Sequence, residues 1–333
     1  MESGGPHWLA VANSASYAGG FGVDLFFVLS AYLITELLLR EKSQCGTLDV
    51  KAFYLRRVLR IWPLYFFYIG IALIPAFNPV KEFSWRYVLA FLLLAGNWSI
   101  LLWGWPHSII NPLWTVSVEE QFYLLWPPLV RNIPRNKIIF AAVGMLVVST
   151  VTRILLVAFH AGTDSVRCNT LGRLDPIAAG ILIAAMLHRA PNFSNGLRLG
   201  MLSCGVLPLV LVAHYWKIQD PRSLMWIPTL VGFPVVAASC TLILLAVLGV
   251  SVRFPRILTY LGKISYGLYV YSALAAFLAS KLIPSHRFLR QLILRELLAL
   301  IITILFAAVS YTLLEKPFLR LKARFELIRS RPA

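Results

Sequence analysis

Apolar runs long enough to cross a bilayer recur along the whole chain, and they leave few architectures open. A crossing helix needs about 20 mostly apolar residues. Only helices or closed barrels satisfy their backbone polar groups inside lipid. Such runs lie near 21–39, 61–77, 85–103, 138–160, 171–187, 198–215, 225–249, 257–283 and 291–314, and residues 113–131 form a tenth candidate. The spacers are mostly short. Charged residues make up 14% of the chain, against about 25% in soluble domains, and 59% is hydrophobic. A soluble fold of this size could not hide so much apolar surface. The expected fold class is all-α, a polytopic transmembrane helix bundle. Residues 1–20 read as an extramembrane N-terminal remnant, 21–318 as the transmembrane domain, and 319–333 as a basic cytoplasmic tail.

The formal net charge of +17 is not a nucleic-acid signature in this setting. Much of it lies in short loops and the C-terminal tail, where it suits an anionic inner leaflet. The stretch 40–60 carries Arg40, Lys42, Lys51, Arg56, Arg57 and Arg60, and the tail carries Arg320, Lys322, Arg324, Arg329 and Arg331. Both are expected inside. If 113–131 crosses fully, the basic residues Arg131, Arg135 and Lys137 land outside. If it is re-entrant or strongly tilted, the basic stretches at 131–137, 188–198 and 250–256 all lie inside. The expectation is therefore nine spans plus one re-entrant or tilted segment at 113–131. The stretch 284–290, with His286, Arg287 and Arg290, is predicted outside against the charge rule. Residue 1 also falls outside.

Residues 111–128, NPLWTVSVEEQFYLLWPP, set two adjacent carboxylates, Glu119 and Glu120, in an aromatic, apolar run. At mid-bilayer an ionised carboxylate costs roughly 2.5–3.5 kcal/mol, while a Leu or Phe returns about 0.3–0.6. The pair therefore lines a wet cavity, sits at the membrane edge, or forms a structural ion pair. Intramembrane ionisable groups point to a functional site by default. Gln121 and Tyr123 follow directly.

Other stretches carry weaker signals. In GGFGVDLFFVLSAY, Asp24 enters an apolar helix, where it caps the helix or acts directly. In FYLRRVLRIWPLY, Arg56 and Arg60 share a helical face, Arg57 stands beside them, and Tyr65 follows. The cluster is a positive-inside anchor or a clamp for phosphate oxygens. In NTLGRLDPIAAG, Arg173 and Asp175 sit at a span entrance as a mutual or neighbouring salt bridge, or as site-lining groups. Tyr266, Tyr269 and Tyr271 read as an aromatic belt set some way into their span. Glu315 and Lys316 read as a local ion pair at the interface. Cys45, Cys168, Cys204 and Cys240 read as small buried hydrophobes. No metal spacing, phosphate-binding glycine loop or GxSxG turn occurs, so no metal or bound cofactor is expected.

The order of these stretches resembles the acyltransferase-3 family of membrane O-acyltransferases, the OafA/YrhL-like proteins. The likeness runs from Gly19 to Phe318 through GVDLFFVLS, FYLRRVLRIWPLY, WTVSVEEQFY, NTLGRLD, ISYGLYVY and EKPF. It implies transfer of an acyl group, usually acetyl, from acyl-CoA to a hydroxyl. The implied acceptors are a cell-envelope glycan, a lipid-linked saccharide or a macrolide, and the implied setting is the bacterial cytoplasmic membrane. The family's first span carries an arginine and a histidine taken as the catalytic base. No span or arginine precedes Gly19, which makes His7 the candidate remnant of that base. Ser272 stands where many relatives carry histidine. Met1 is accordingly expected not to be the natural start, with a first helix encoded in frame upstream.

In this reading Arg56, Arg57 and Arg60 hold the CoA phosphates. Glu119 and Glu120 are base or orienter of the histidine, and Gln121 and Tyr123 are candidate oxyanion donors. Tyr65, Asp24, Arg173 and Asp175 complete the expected substrate-binding set. Two rivals stand beside it. One is a proton-coupled transporter, which would favour inverted repeats that the halves do not display. The other is an inactive truncated relative.

Overall fold

The computed structural model describes residues 18–77, 84–187, 191–216, 218, 226–250, 254–283 and 289–325. Among them helix is the only regular structure, as the recurring apolar runs require. The helices are α1 (Gly22–Cys45), α2 (Val50–Ala72), α3 (Trp85–Leu92), α4 (Gly96–Trp103), α5 (Leu113–Asn132), α6 (Ile138–Ala158), α7 (Thr163–Arg167) and α8 (Leu174–Met186). They continue as α9 (Asn195–Leu211), α10 (Trp226–Val247), α11 (Arg256–Lys263), α12 (Ser265–Leu282), α13 (Leu289–Ser310) and α14 (Lys316–Lys322). Widened π-turns close α9 at Val212–Trp216 and α13 at Tyr311–Glu315.

Five helical stretches are long and apolar enough to cross a membrane: Ala18–Cys45, Arg135–Ala158, Asn195–Trp216, Trp226–Val247 and Arg290–Lys322. The pair α11 and α12, bent by 72°, makes a sixth if it crosses as one. Leucine, valine and phenylalanine side chains on these helices face outward, among them Phe140, Val147, Leu207 and Leu305. That is the surface of an integral membrane protein, whose outer solvent is lipid.

Three of the expected spans take other forms. Residues 171–187 form a short turn, Leu171–Arg173, and the 13-residue α8, only about 20 Å long at 1.5 Å per residue. The basic residues Arg56, Arg57 and Arg60 are not in a loop. Asp49 caps α2 by accepting from the Ala52 backbone nitrogen at 2.9 Å, so the helix begins before the arginines. Residues 85–103 break into α3 and α4. Leu94 at the break takes a left-handed φ of 57°, which costs a leucine roughly 1–2 kcal/mol. The two arms then fold back on each other. The Tyr87 hydroxyl at the start of α3 donates to the Trp103 and Gly104 carbonyls at the end of α4, at 2.7 and 3.1 Å. The start and end of this segment therefore meet. Residues 113–131, by contrast, lie in the single 20-residue helix α5, with no turn inside it. The fold-back lies at 85–103, and of the two forms expected for 113–131 the unbroken helix fits the tilted one and not the re-entrant turn.

The chain divides into two compact units, each assembled from separated stretches: residues 1–48 with 126–251, and 49–125 with 252–333. In the first, α8 packs on α1 and α6, and α10 packs on α9, α1 and α8. A Cβ on Gly180 would lie 2.2 Å from the Val28 carbonyl oxygen, so α1 and α8 touch backbone to backbone, as small residues permit between membrane helices. Lys42 Nζ donates to the carbonyls of Val130, Arg131 and Ile133 at 2.8, 3.0 and 2.7 Å. The basic end of α1 thus caps the end of α5, and both lie on one side. Arg198 ties to the Ala246 and Leu248 carbonyls at 2.7 and 2.8 Å, joining two more basic stretches. In the second unit α12 packs on α13, α14 on α2, and α3 on α4. There Arg56 donates to the Phe325 carbonyl at 2.9 Å. The stretch 284–288 lies outside the described residues.

Cys45 and Cys204 are exposed, against expectation, while Cys168 and Cys240 are buried. Burial pushes the Cys168 thiol, in the connection before α8, up to about 12. In intact cells a membrane-permeant maleimide is therefore expected to label Cys45 while an impermeant one leaves it untouched. Cys168 should label only after denaturation. Mass shifts of the extracted protein read both, and labelling of Cys45 from outside would invert the topology.

Candidate functional site

The glutamate pair lies in the middle of α5, and its neighbours come from α2, α12 and the π-turn after α13, all within the second unit. Adjacent helical positions project about 100° apart, and the two carboxylates indeed meet different partners. Glu119 is buried and accepts a hydrogen bond from the Tyr123 hydroxyl one turn on. Glu120 accepts from Trp62 Nε1 at 3.2 Å through Oε2. Its Oε1 is buried and accepts no hydrogen bond from any described residue. A buried acceptor left unmade costs about 1–3 kcal/mol, so this atom is a place for an incoming donor.

The three arginines of α2 part company. Arg56 is buried and held by the Phe325 carbonyl. Arg57 lies over the rings of Phe53 and Tyr123, at 5.3 and 5.4 Å, within electrostatic reach of Glu119. Arg60 is exposed, in reach of Arg57 and Glu315. They do not form a single three-pronged clamp. Arg57 belongs with the carboxylates, because aromatic faces and a nearby anion together stabilise a half-buried guanidinium.

Tyr65, Gln121 and Tyr123 lie in the same unit with their polar groups engaged. The Tyr65 hydroxyl donates to the Phe91 carbonyl at 2.6 Å. Gln121 accepts from Trp98 Nε1 at 3.2 Å and donates to the Leu94 carbonyl and Asn97 Oδ1, at 3.1 and 2.9 Å. Ser117 Oγ accepts from the Gly96 backbone nitrogen at 3.2 Å. These bonds dock the tip of the α3–α4 hairpin onto α5 and hold Leu94 in its strained conformation.

The tyrosines of α12 face inward, not toward a lipid interface. Tyr266 donates to the Ile61 carbonyl at 3.2 Å and stands within electrostatic reach of Glu119, Glu120, Tyr65 and Glu315. Tyr269 donates to the Pro112 carbonyl at 2.9 Å and accepts from Thr115 at 2.7 Å. The Tyr271 ring packs edge-on to Tyr68 and Phe306.

Asp24, Arg173 and Asp175 assemble in the first unit as two crossed ion pairs. Asp24 makes no cap bond at the start of α1. It pairs with Arg173 at 2.7 Å, with both side chains buried. Arg173 also lies 4.9 Å over the Phe233 ring. Asp175 pairs instead with Arg153, which further binds Ser149 Oγ and the Gly172 carbonyl, at 2.8 and 3.0 Å. The neighbouring-bridge form of the sequence expectation is the one adopted. His7 lies outside the described residues.

Sequence reasoning passed over Arg153 and undervalued Glu315. Arg153 is a lone cation deep in the apolar run 138–160, which is itself the signal. Glu315 accepts from Ser310 at 3.4 Å and is buried, because the π-turn rotates it inward, away from the expected pairing with Lys316. Such turns concentrate at functional sites.

Comparison with known proteins places these residues in a family. A family model described as an acyltransferase domain, Acyl_transf_3, matches residues 2–313. The O-acetyltransferase OatA of Staphylococcus aureus strain NCTC 8325 is 27% identical over 92% of this chain and 53% of its own length. The peptidoglycan O-acetyltransferase OatA of Listeria monocytogenes is 37% identical over 33% of this chain and 19% of its own. The chain spans about half the length of the curated relatives it matches along most of its course. No solved structure matches it. With buried carboxylates on α5 and arginines on α2 lying inside a match that covers nearly every residue, the chain belongs to the acyltransferase-3 family of membrane acyltransferases.

Proposed function

We propose that the chain moves an acyl group, acetyl in the simplest case, from acyl-CoA to a hydroxyl of a cell-envelope glycan at the bacterial cytoplasmic membrane. The observation that carries this reading is Glu120 Oε1, a buried carboxylate oxygen without a described donor, set among Tyr266, Tyr65, Glu119 and Glu315. A carboxylate so placed takes the proton of an acceptor hydroxyl. The freed oxygen attacks the thioester carbonyl, the C–S bond breaks, and CoA leaves as the thiol once it regains a proton. Tyr266, close to both glutamates, serves the oxyanion once its one hydroxyl proton turns from the Ile61 carbonyl. Glu119 and Arg57 position this set. Gln121 and Tyr65 act through the hairpin they anchor. Arg60, exposed on α2, meets the CoA phosphates. The likeness to a peptidoglycan O-acetyltransferase favours a polymeric glycan over a macrolide or a lipid-linked saccharide as acceptor.

The test is transfer of labelled acetyl from acetyl-CoA to peptidoglycan fragments in membranes holding the full chain. Label is expected in the glycan as an alkali-labile ester. No transfer at normal membrane abundance would refute the reading. In the same assay Arg60→Ala is expected to raise KM for acetyl-CoA roughly tenfold, the effect of one charge-assisted contact, with the acceptor KM unchanged. An equal rise in both would remove Arg60 from the donor site.

A further inference from the structure

No side chain of α11 is buried, yet its sequence has two unlike faces. At 3.6 residues per turn, Ile257, Leu258 and Leu261 fall within about 100° of its circumference, and Arg256, Thr259 and Lys263 within about 60° on the opposite side. We propose that α11 lies in the plane of the bilayer surface and binds the headgroups of anionic phospholipid. This rests on the chain being an integral membrane protein, not on the reaction it performs.

Direction, exposure and charge carry it. The 18 residues of α12 make about 27 Å of helix, which by length alone reaches across most of a hydrocarbon core of roughly 30 Å. The axis of α11 is bent from it by 72°. The length of α11, about 12 Å, therefore adds only about 4 Å along α12, so α11 runs beside the surface instead of deepening the crossing. Ile264, at the corner, is fully buried and holds the bend in place. Ile257 is 73% exposed and Leu258 54%, and Phe254 just ahead of the helix is 61% exposed. An apolar stripe of this kind, backed by a basic one, is the pattern of a helix half-sunk between headgroups and acyl chains. Tyr260, on the border between the two faces, suits the same depth. Arg256 and Lys263 are both exposed, and between Asp220 and Glu296 the chain has no acidic residue. The stretch 250–256 is among those the charge rule places inside, against the anionic leaflet. Lipid phosphates there complement the basic face while the acyl chains below take the apolar one.

The experiment uses the full chain carrying Cys45→Ser and Cys204→Ser, with a bimane fluorophore at Ile257→Cys or at Thr259→Cys. It is reconstituted in vesicles of phosphatidylcholine and phosphatidylglycerol, with brominated acyl chains on an equal share of one lipid or the other. Bromine is expected to quench the label at 257 strongly, and aqueous iodide the label at 259. Brominated phosphatidylglycerol should quench at 257 as though enriched roughly fivefold, the effect of about one basic side chain near the surface. Arg256→Gln together with Lys263→Gln should equalise the two lipids and leave the melting temperature unchanged, since both side chains are exposed. Equal quenching by the two lipids before that substitution would overturn the headgroup site. Bromine quenching at 259 as strong as at 257 would make α11 part of the crossing and overturn the in-plane placement. Shielding of 257 from both bromine and iodide would mean that a protein covers this face, and would overturn the proposal too.

Discussion

Glu120→Gln is expected to abolish acyl transfer, by roughly 10²–10⁴-fold, the usual contribution of a positioned base. Glutamine keeps the shape and the Trp62 hydrogen bond but cannot take a proton. Glu120 Oε1 has no described donor to lose, so insertion and abundance should stay at wild-type levels. Glu119→Gln should also lower turnover, through its links to Tyr123 and Arg57. There the loss should be accompanied by a lower melting temperature, since a buried charge-assisted bond is weakened. Labelled acetyl transfer at matched abundance measures both. Wild-type turnover by Glu120→Gln would remove it from the chemistry.

The second large effect is on folding. Arg153 is fully buried and Asp175 nearly so. Arg153→Leu leaves Asp175 as an uncompensated charge, and breaking a buried pair in this way costs about 3–5 kcal/mol. The expected outcome is a collapse in membrane abundance and in thermal stability in detergent. The double variant Arg153→Leu with Asp175→Leu should recover much of the loss, because an apolar pair of similar volume is often neutral. Equal instability of the single and double variants would show that Arg153 matters for its bonds to Ser149 and Gly172 instead.

Much of the fold was legible because lipid imposes a length and a polarity on each crossing. The runs at 21–39, 138–160, 198–215, 225–249 and 291–314 all appear as long helices. The hairpin at 85–103 was not legible, since its run is as apolar as a span. Its break is made by Leu94, a residue without turn preference, held open by Gln121 from another helix. The site was half legible. Carboxylates in an apolar run announce themselves, so Glu119 and Glu120 stood out. Arg153 carried the same signal and was hidden only by having a single charge. Partner choice was beyond reach: nothing local in NTLGRLD states that Arg173 turns to Asp24 while Asp175 turns to Arg153. The inward turn of Glu315 depends on one extra residue in a π-turn, which hydropathy cannot register.

The interleaving of the two units has a consequence in time. The glutamate helix reaches the membrane early in synthesis, yet the tyrosines of α12 and the π-turn that complete its surroundings lie beyond residue 252. All of 126–251 must be translated in between. At about 5–20 residues per second, the nascent chain carries Glu119 and Glu120 for roughly 7–30 s before Tyr266 exists to meet them, and roughly 10–40 s before Glu315 does. Throughout that interval the carboxylates need a temporary host, whether water within the insertion machinery or a chaperone.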